Sequence, residues 1–378
     1  MKLEFKPDDL RKGLSIAKLV KPLTNDFVLK VMGGNLVIYS YDKRRNARAE
    51  IRPINSIPLD YQSEEHFLPS ERQSFLDSEL TSITLTVTDK DMKVKTDDGK
   101  QSRQATIKRK AELSRRPPIP ARLVLSDMST FPSAKDFEEL LRQVSCSALI
   151  RETKTEDEMR INQVHFYPEK SCAVANARFY ATMATLPGMN IDLSVVSADV
   201  PLMKSFCSKL ADQPIQIGQD QSRLFLVDPS TESHLTFSRV ASKKPALSLL
   251  PDEGHEIVIA IDRDQLAKAL SWAALAIEGT QRLTLLANAD DSSGNGIMEF
   301  LNGKQEISRM PVEFKLGKRL SADFHVKYLS GIVRYLGEGN ACLKYAHPAA
   351  PTVLEIAEQT PEGDVRARHF IQAMKEHN

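Results

Sequence analysis

The sequence predicts an α+β protein built from three similar domains, each with two helices and about eight strands. Short runs of β-branched and large apolar residues, separated by charged or glycine-rich turns, occupy most of the 378 residues. Only six segments have helical character, and their order repeats along the chain. The repeat of about 125 residues has the length of an ordinary domain.

The first helix of each repeat follows a strand and opens with acidic residues, which favour a helix N-terminus. Apolar residues four apart place one face of each helix on a core. These pairs are Leu10/Leu14, Phe137/Leu141 and Leu266/Leu270. Their leading members lie 127 and 129 residues apart. The predicted helices are Asp8–Val20, Ala134–Ser147 and Asp262–Ile277.

A second helix follows later in each repeat. The predicted segments are Pro69–Leu80, Ala198–Leu210 and Phe324–Leu336. Phe75, Phe206 and Val333 hold similar places in them, at intervals of 131 and 127 residues. The predicted strands include KLEFK, NLVIYS, SITLTVT, RLVLSD, RLFLVD, EIVIAI, LTLLAN and VLEIAE.

Two stretches have the composition of linkers between these repeats. Ser114–Pro120 is rich in proline, which does not fit a central strand, and Lys243–Gly254 punctuates the chain in the same way. We therefore expect domains at residues 1–116, 121–243 and 254–378.

Composition restricts the class of protein. Hydrophobic residues make up 41% and charged residues 27%, without an apolar run that could span a membrane or act as a signal peptide. We expect a cytoplasmic protein with no membrane partner. Lys and Arg total 51 against 50 for Asp and Glu, so the chain does not bind nucleic acid by bulk charge.

No motif for catalysis or metal binding occurs in the sequence. The eight histidines and four cysteines are scattered without ligand spacing, and P-loop, GxGxxG and GxSxG patterns are absent. We therefore expect no enzyme activity, no metal and no cofactor. A hydrolase with residues assembled from distant strands is the alternative from another class.

The middle repeat carries a family resemblance. MRINQVHFYPEKSCAVANARFYATMATL is followed by SVVSADVPLMKSF, PIQIG, RLFLVD and HLTFSRV. This order of strands and one helix resembles the bacterial sliding clamp, the β subunit of DNA polymerase III. The segments KLEFKPDDLRKGLSIAKLV and ADFHVKYLSGIVRYLG resemble the first and last helices of that family.

The resemblance implies a ring. In that family two chains associate head to tail around duplex DNA, with helices lining the hole and sheets outside. The implied function is a processivity factor that tethers DNA polymerase, and the implied partners are the clamp loader and other proteins with clamp-binding motifs. A clamp-like platform or replisome decoy that does not close around DNA is the alternative within this fold.

The helices supply the candidate DNA contacts. We predict eight DNA-facing cations, with the solvation of a helix face as the alternative for each: Arg11, Lys12, Lys18, Lys204, Lys209, Lys268, Lys327 and Arg334. The densest basic run, Lys43–Arg48, is expected at the tip of a hairpin, where it either meets solvent or contacts DNA or the loader.

The resemblance also implies a groove for partner peptides between the second and third domains, where a few apolar contacts supply most of the binding. The implied lining residues, which are otherwise core residues, are Ile161, Ala175, Arg178, Phe179, Tyr180, Pro245, Leu249, Tyr328, Leu354, Phe370, Ile371 and Met374. Asn176–Phe179 replaces the Asp-Gly-His-Arg turn common in the family, and the C-terminus also departs from the family pattern. Such divergence suits a phage-encoded or otherwise specialised clamp.

Overall fold

Eight strands fall within each of the three predicted repeats, and five α-helices complete the described part of the chain. The computed structural model describes residues 1–22, 26–69, 81–88, 90–108, 128–145, 155, 159, 162–177, 180–241, 244–245, 255–277, 282–290, 293–333, 336, 340–345, 353–359, 365–372 and 374. The many antiparallel strands and few helices confirm the predicted α+β class.

The chain divides into two compact units. The first unit contains Met1–Glu138 and Pro201–Arg239, and the second contains Glu139–Val200 and Val240–Asn378. The predicted middle repeat therefore contributes to both units. The predicted domain limits remain predictions.

The helices are α1 (Pro7–Ala17), α2 (Ala134–Val144), α3 (Val200–Leu210), α4 (Arg263–Ala276) and α5 (Val326–Val333). Pro7, Asp8 and Asp9 form the first turn of α1, and the Asp262 carboxylate caps α4 by accepting from the Gln265 N–H at 2.7 Å. None of the described helices is long and apolar enough to cross a membrane.

Five of the six predicted helices are confirmed, with shorter bounds. The last one was predicted to begin at Phe324, which was wrong, because Phe324 and His325 end a strand. Phe324 pairs with Leu283 on the neighbouring strand, and its buried side chain continues the alternation of that strand. The predicted helix Pro69–Leu80 lies outside the described residues except for Pro69, and so does the predicted strand RLVLSD.

Two sheets belong to the first unit. Their orders are β1-β6-β7-β8 and β5-β2-β3-β4-β16-β15-β14-β9. The strands are β1 (Lys2–Phe5), β2 (Asp26–Met32), β3 (Asn35–Tyr41), β4 (Arg45–Ile51), β5 (His66–Pro69), β6 (Ser82–Val87), β7 (Asp91–Asp97), β8 (Ser102–Lys108), β9 (Met128–Phe131), β14 (Ile215–Gln219), β15 (Arg223–Val227) and β16 (His234–Ser238).

One sheet of twelve strands forms the second unit, in the order β13-β10-β11-β12-β24-β23-β22-β17-β20-β19-β18-β21. The strands are β10 (Gln163–Tyr167), β11 (Cys172–Ala177), β12 (Tyr180–Thr185), β13 (Ser194–Val196), β17 (Ile257–Asp262), β18 (Arg282–Ala289), β19 (Asn295–Asn302), β20 (Gln305–Leu316), β21 (Arg319–His325), β22 (Asn340–Tyr345), β23 (Val353–Gln359) and β24 (Val365–Gln372).

Helix α1 packs closely on β3 and β4. Leu10 and Leu14 are buried, as their spacing predicts. Gly13 lies between them on the same side, and a Cβ atom at this position would stand 2.4 Å from Cδ1 of Ile51. The lack of a side chain at Gly13 therefore allows the helix to approach the sheet.

The pairing of β4 with β16, the first junction, joins strands from the first and second repeats. His234 lies opposite Arg48, whose guanidinium donates to Glu50 at 2.8 Å. The backbone N–H of Glu50 donates to Oγ of Ser233 at 2.9 Å. Burial, with a smaller contribution from Arg48, lowers the pKa of His234 to about 3.

The pairing of β12 with β24, the second junction, joins the second repeat to the third. Thr182 lies opposite His369 in the ladder. A hydrogen bond of 2.9 Å joins Oγ1 of Thr182 and Nδ1 of His369. Arg142 on α2 contacts Glu139 on its own helix and reaches Glu358 on β23 at 3.4 Å. Both junctions therefore contain buried polar contacts in addition to the strand ladder.

Candidate functional site

Four of the predicted DNA-facing cations of the first unit are exposed or half-buried. Lys18 directly follows α1 and Lys209 lies in the last turn of α3, and both side chains are exposed. Lys204 on α3 is half-buried. Arg11 on α1 is also half-buried, and its guanidinium donates to the exposed carboxylate of Asp8 at 2.7 Å. Arg11, Lys204 and Lys209 lie on helices, as predicted, whereas Lys18 lies just beyond the end of α1.

Lys12 makes a contact that the sequence did not predict. Its ammonium lies 3.4 Å from the carboxylate of Asp228 and 3.4 Å from the side-chain oxygen of Gln213. Burial alone would raise the pKa of Asp228, but hydrogen bonds from Ser230 and Thr231 and the charge of Lys12 lower it. Lys12 thus ties α1 to the end of β15, and its role at DNA stays a prediction.

The second unit presents two further predicted cations. Lys268 on α4 and Lys327 on α5 are exposed, and these two helices pack against each other. Arg334 lies outside the described residues. Among the residues that the structure describes, there is no group of three or more His, Cys, Asp or Glu side chains arranged to hold a metal ion.

Four neighbouring strands bring together part of the predicted peptide groove. Tyr180 on β12 lies opposite Ile371 on β24, which in turn lies opposite Leu354 on β23. Leu354 and Ile371 are fully buried and belong to the core of the third repeat. Ala175 and Phe370 are buried as well. These apolar side chains therefore pack inside the sheet layer and do not present their surfaces to solvent.

The linker residue Pro245 is fixed to the edge of the middle repeat. Its carbonyl oxygen accepts a hydrogen bond from the hydroxyl of Tyr167 at 2.6 Å. The ammonium of the preceding Lys244 lies 5.2 Å from the centroid of the Tyr167 ring and donates to the carbonyl oxygen of Phe166 at 2.6 Å. It also pairs with Asp192. Pro245 is half-buried and reachable from solvent.

Two further groove residues keep accessible surface. Tyr328 on α5 is half-buried and stacks on the ring of His325 with centroids 4.3 Å apart. Met374 is half-buried, and its backbone N–H donates to the carbonyl oxygen of Asp323 at 2.8 Å. The remaining predicted residues, which lie outside the described part of the chain, are Ile161, Arg178, Phe179 and Leu249.

Among the described residues of the second unit, the most exposed large apolar side chains were missed by the sequence analysis. Trp272 keeps 65% and Leu275 keeps 78% of its surface exposed on α4. The only available signal was their position, because they fall outside the stripe that begins with Leu266 and Leu270. Two large exposed apolar residues three apart on one helix form an apolar patch on the surface.

Solved structures share this fold over the whole chain. A DNA polymerase sliding clamp from Pseudomonas aeruginosa matches with a TM-score of 0.76 at 16% identity, and covers 100% of both chains. The DNA polymerase III β subunit from Thermotoga maritima matches with a TM-score of 0.73 at 14% identity. The β subunit from a DNA polymerase of Streptococcus pyogenes matches with a TM-score of 0.73 at 11% identity, and the coverage is 100% of both chains in each case. No family model and no curated protein matches the sequence. The chain therefore has the sliding-clamp fold.

Proposed function

We propose that this protein is a sliding clamp, a processivity factor that encircles duplex DNA and tethers a replicative DNA polymerase. The proposal is carried by the full-length match in fold to proteins described as DNA polymerase III β subunits and sliding clamps. The repeat of eight strands, present three times, agrees with this role because a closed ring needs similar domains around its circle.

Retention in such a ring is topological and needs little affinity. Lys and Arg exceed Asp and Glu by only one over the six predicted helices. Each additional phosphate contact would strengthen binding in a salt-dependent way and would oppose sliding. A tethered polymerase gains a high effective concentration at the primer end without any chemistry by the clamp. The proposed role therefore requires no catalytic residue.

A head-to-tail homodimer is supported by an unfilled third junction. In the first two junctions the fourth strand of one repeat pairs with the eighth strand of the next. The fourth strand of the third repeat is β20, which pairs with β17 only from Glu313 onward. Among the described strands, β8 pairs with β7 alone. We infer that β20 of one copy pairs with β8 of a second copy.

The entry helices support the same contact. The tenth residue of α1 is Ile16 and that of α2 is Gln143, with exposures of 1% and 2%. The tenth residue of α4 is Trp272, which is 65% exposed. The tenth residue of the entry helix, which is buried in α1 and α2, is therefore exposed in α4. A second copy of the chain would bury the indole ring of Trp272 and so remove apolar surface from water.

Charge also fits this arrangement. Lys12 is the sixth residue of α1 and pairs with Asp228, which directly follows β15. Lys268 is the sixth residue of α4, and Asp98 directly follows β7. Asp98 accepts from the N–H two residues later, as Asp228 does. We infer an ion pair between Lys268 and Asp98 of the second copy.

The polymerase contact is proposed at the predicted groove between the second and third repeats. Of its described residues, Pro245, Tyr328 and Met374 keep accessible surface and would contact the peptide, while the buried side chains of β11, β23 and β24 would support the groove from within the core. A short peptide with apolar anchors matches such a surface.

The clamp proposal is tested by retention on nicked circular DNA in the presence of a clamp loader and ATP. The expected result is a complex that survives gel filtration and is lost when the circle is linearised. Equal retention on circular and linear DNA would contradict a topological role. Absence of any loaded complex with a competent loader would favour a clamp-like platform instead.

The homodimer is tested by mass in solution, expected at twice the 42.3 kDa of the chain. Trp272→Glu is expected to give monomers, whereas Leu59→Glu, at a position that is 79% exposed in the first unit, should leave the dimer intact. Lys268→Asp should weaken the dimer and Asp98→Lys should restore it in the same chain. A monomeric wild-type protein at micromolar concentration refutes the dimer.

The groove is tested by polymerase stimulation with Tyr328→Ala, Phe179→Ala and Met374→Ala. We expect loss of stimulation with an unchanged dimer and unchanged loading on circular DNA. Deletion from Phe370 is unsuitable because Phe370 and Ile371 belong to the ladder of the second junction. Full polymerase stimulation by all three variants would contradict the groove and would indicate that these side chains serve only in packing.

A further inference from the structure

Basic side chains converge at one end of the eight-stranded sheet. Lys43 and Arg44 lie in the connection between β3 and β4, and Arg45 begins β4. Arg223 begins β15, and Arg239 directly follows β16. We call these five residues the basic edge. It lies entirely within the first unit and includes none of the predicted helical DNA contacts.

Backbone hydrogen bonds hold these segments together. The N–H of Ser238 donates to the carbonyl oxygen of Arg44 at 2.8 Å, and the N–H of Arg239 donates to that of Ser222 at 2.8 Å. Arg45 lies opposite Phe237 in the ladder. Since neighbouring strands are about 4.8 Å apart, the five cations span roughly 10–15 Å.

The basic edge carries a surplus of positive charge. Lys43, Arg223 and Arg239 are exposed. Two carboxylates lie among the five cations. Asp42 accepts from the backbone of its own loop and lies 3.8 Å from the guanidinium of Arg45, and Asp220 accepts from the backbone at the start of β15. The exposed side chains of Lys43, Arg223 and Arg239 therefore present positive charge at this edge.

The same place in the second junction belongs to the predicted peptide groove. The N–H of Asp42 donates to the carbonyl oxygen of Arg45, two residues beyond Lys43, and Ala177 pairs with Tyr180 at the same spacing in sequence. Lys43-Arg44 therefore stands where the second junction has Arg178-Phe179. The aromatic rings nearest the basic edge, those of Tyr39, Tyr41 and Phe237, are buried. The first junction thus presents cations where the second is predicted to present an apolar anchor.

We propose that the basic edge binds the phosphodiester backbone of a nucleic acid. Four of its five cations are arginines, whose planar guanidinium groups match phosphate oxygens in pairs. Contacts to phosphate need no apolar anchor and carry no sequence information, whereas a bound peptide takes much of its affinity from buried apolar side chains. The inference rests on the proposed function for the identity of the nucleic acid as DNA.

The test is fluorescence anisotropy with labelled linear oligonucleotides of about 20 nucleotides, single-stranded and duplex, over a range of salt concentrations. Lys43→Glu with Arg239→Glu is expected to weaken binding at least about tenfold. The slope of log affinity against log salt should fall by about two, one for each lost phosphate contact. The control is Lys93→Glu with Lys95→Glu, which reverses two exposed charges on β7 and should leave the slope unchanged.

Comparison of the affinities for the single-stranded and the duplex oligonucleotide shows which form of nucleic acid supplies the phosphates. An unchanged slope in the Lys43/Arg239 variant, or an equal loss in the control variant, overturns the proposal. Tighter binding of a decaglutamate peptide than of an oligonucleotide with ten phosphates also overturns it, in favour of an acidic protein. Retention on circular DNA is measured in parallel: intact retention with an unchanged oligonucleotide slope would refute the basic edge alone and leave the clamp standing.

Discussion

The ammonium of Lys12 lies 3.4 Å from the carboxylate of Asp228, a side chain with no exposed surface, 216 residues further along the chain. The same separation of 216 residues joins Arg142 to Glu358, also at 3.4 Å. Each pair connects the entry helix of one repeat to the seventh strand, or its end, in the next repeat. The two pairs therefore join successive repeats through the same pair of elements, although Lys12 is the sixth residue of its helix and Arg142 the ninth.

Replacing Lys12 by Met should destabilise the protein. The carboxylate of Asp228 would remain buried with its hydroxyl donors but without its countercharge, at a cost of about 1–2 kcal/mol given the partial exposure of Lys12. Urea denaturation measures the change. Lys18→Met removes an exposed charge from the same region and should alter the free energy of unfolding by less than about 0.5 kcal/mol. Equal effects would contradict a specific role for the pair.

Substitution of Gly13 by Ala should destabilise the first unit by about 1 kcal/mol. The gain in helix propensity is smaller than the cost of overpacking, because the new methyl group would lie 2.4 Å from Cδ1 of Ile51. Thermal unfolding of Gly13→Ala in the background of Ile51→Val provides the control, since the shorter side chain removes that atom. The double variant should lose less stability than the two single changes predict together.

Acidification should weaken both junctions through their buried histidines. Burial lowers the pKa values of His234 and His369 to about 3, with smaller contributions from Arg48 and Arg142. The unfolded chain keeps the ordinary histidine pKa of 6.5 and therefore binds protons that the folded chain excludes. The stabilisation is complete above pH 6.5 and declines as pH falls toward 3, by about 1.4 kcal/mol per pH unit for each histidine.

Urea midpoints measured between pH 7.5 and pH 4.5 test this expectation. His234→Gln and His369→Gln should each flatten the dependence on pH, and the double variant should flatten it further. Glutamine keeps hydrogen-bonding capacity and does not titrate. A wild-type midpoint that does not change over this range would contradict neutral, buried histidines at the junctions.

A buried carboxylate with two cationic neighbours and a histidine should be critical for the third repeat. Glu355 accepts from both Nε and Nη2 of Arg368 at 2.9 and 2.8 Å, and lies 3.4 Å from Lys344 and 3.1 Å from His255. Glu355→Gln should cost about 3 kcal/mol because Arg368 would lose its countercharge. Replacement of both Glu355 and Arg368 by Leu should cost less than the sum of the single changes, as measured by a double-mutant cycle in urea.

The repeat and its helices were predictable because they follow from local patterns. Leu10, Phe137 and Leu266 mark the same phase of three helices, and all three are buried. Capping by Asp262 follows from its position before α4. The end of β21 was misplaced because Phe324 fits the buried face of a strand and of a helix equally well, and pairing with Leu283 decides between them.

Contacts between distant segments were not predictable. The sequence gives no indication that Lys12 meets Asp228, although an aspartate followed by Pro229 and Ser230 at the end of a strand is a typical turn signature. The burial of Leu354 and the exposure of Trp272 depend on which surfaces other strands cover. Such facts require the register of the sheets, which composition and periodicity do not specify.

The chemistry of the two junctions also protects the chain against mispaired strands while it folds. Ala47, the third residue of β4, lies opposite Leu235 in the first junction. Thr182, the third residue of β12, lies opposite His369 in the second. Exchange of β16 and β24 would set a buried hydroxyl against leucine and a buried imidazole against alanine. A polypeptide with three similar repeats can thereby distinguish its own neighbours, because the wrong partner leaves polar atoms without hydrogen bonds.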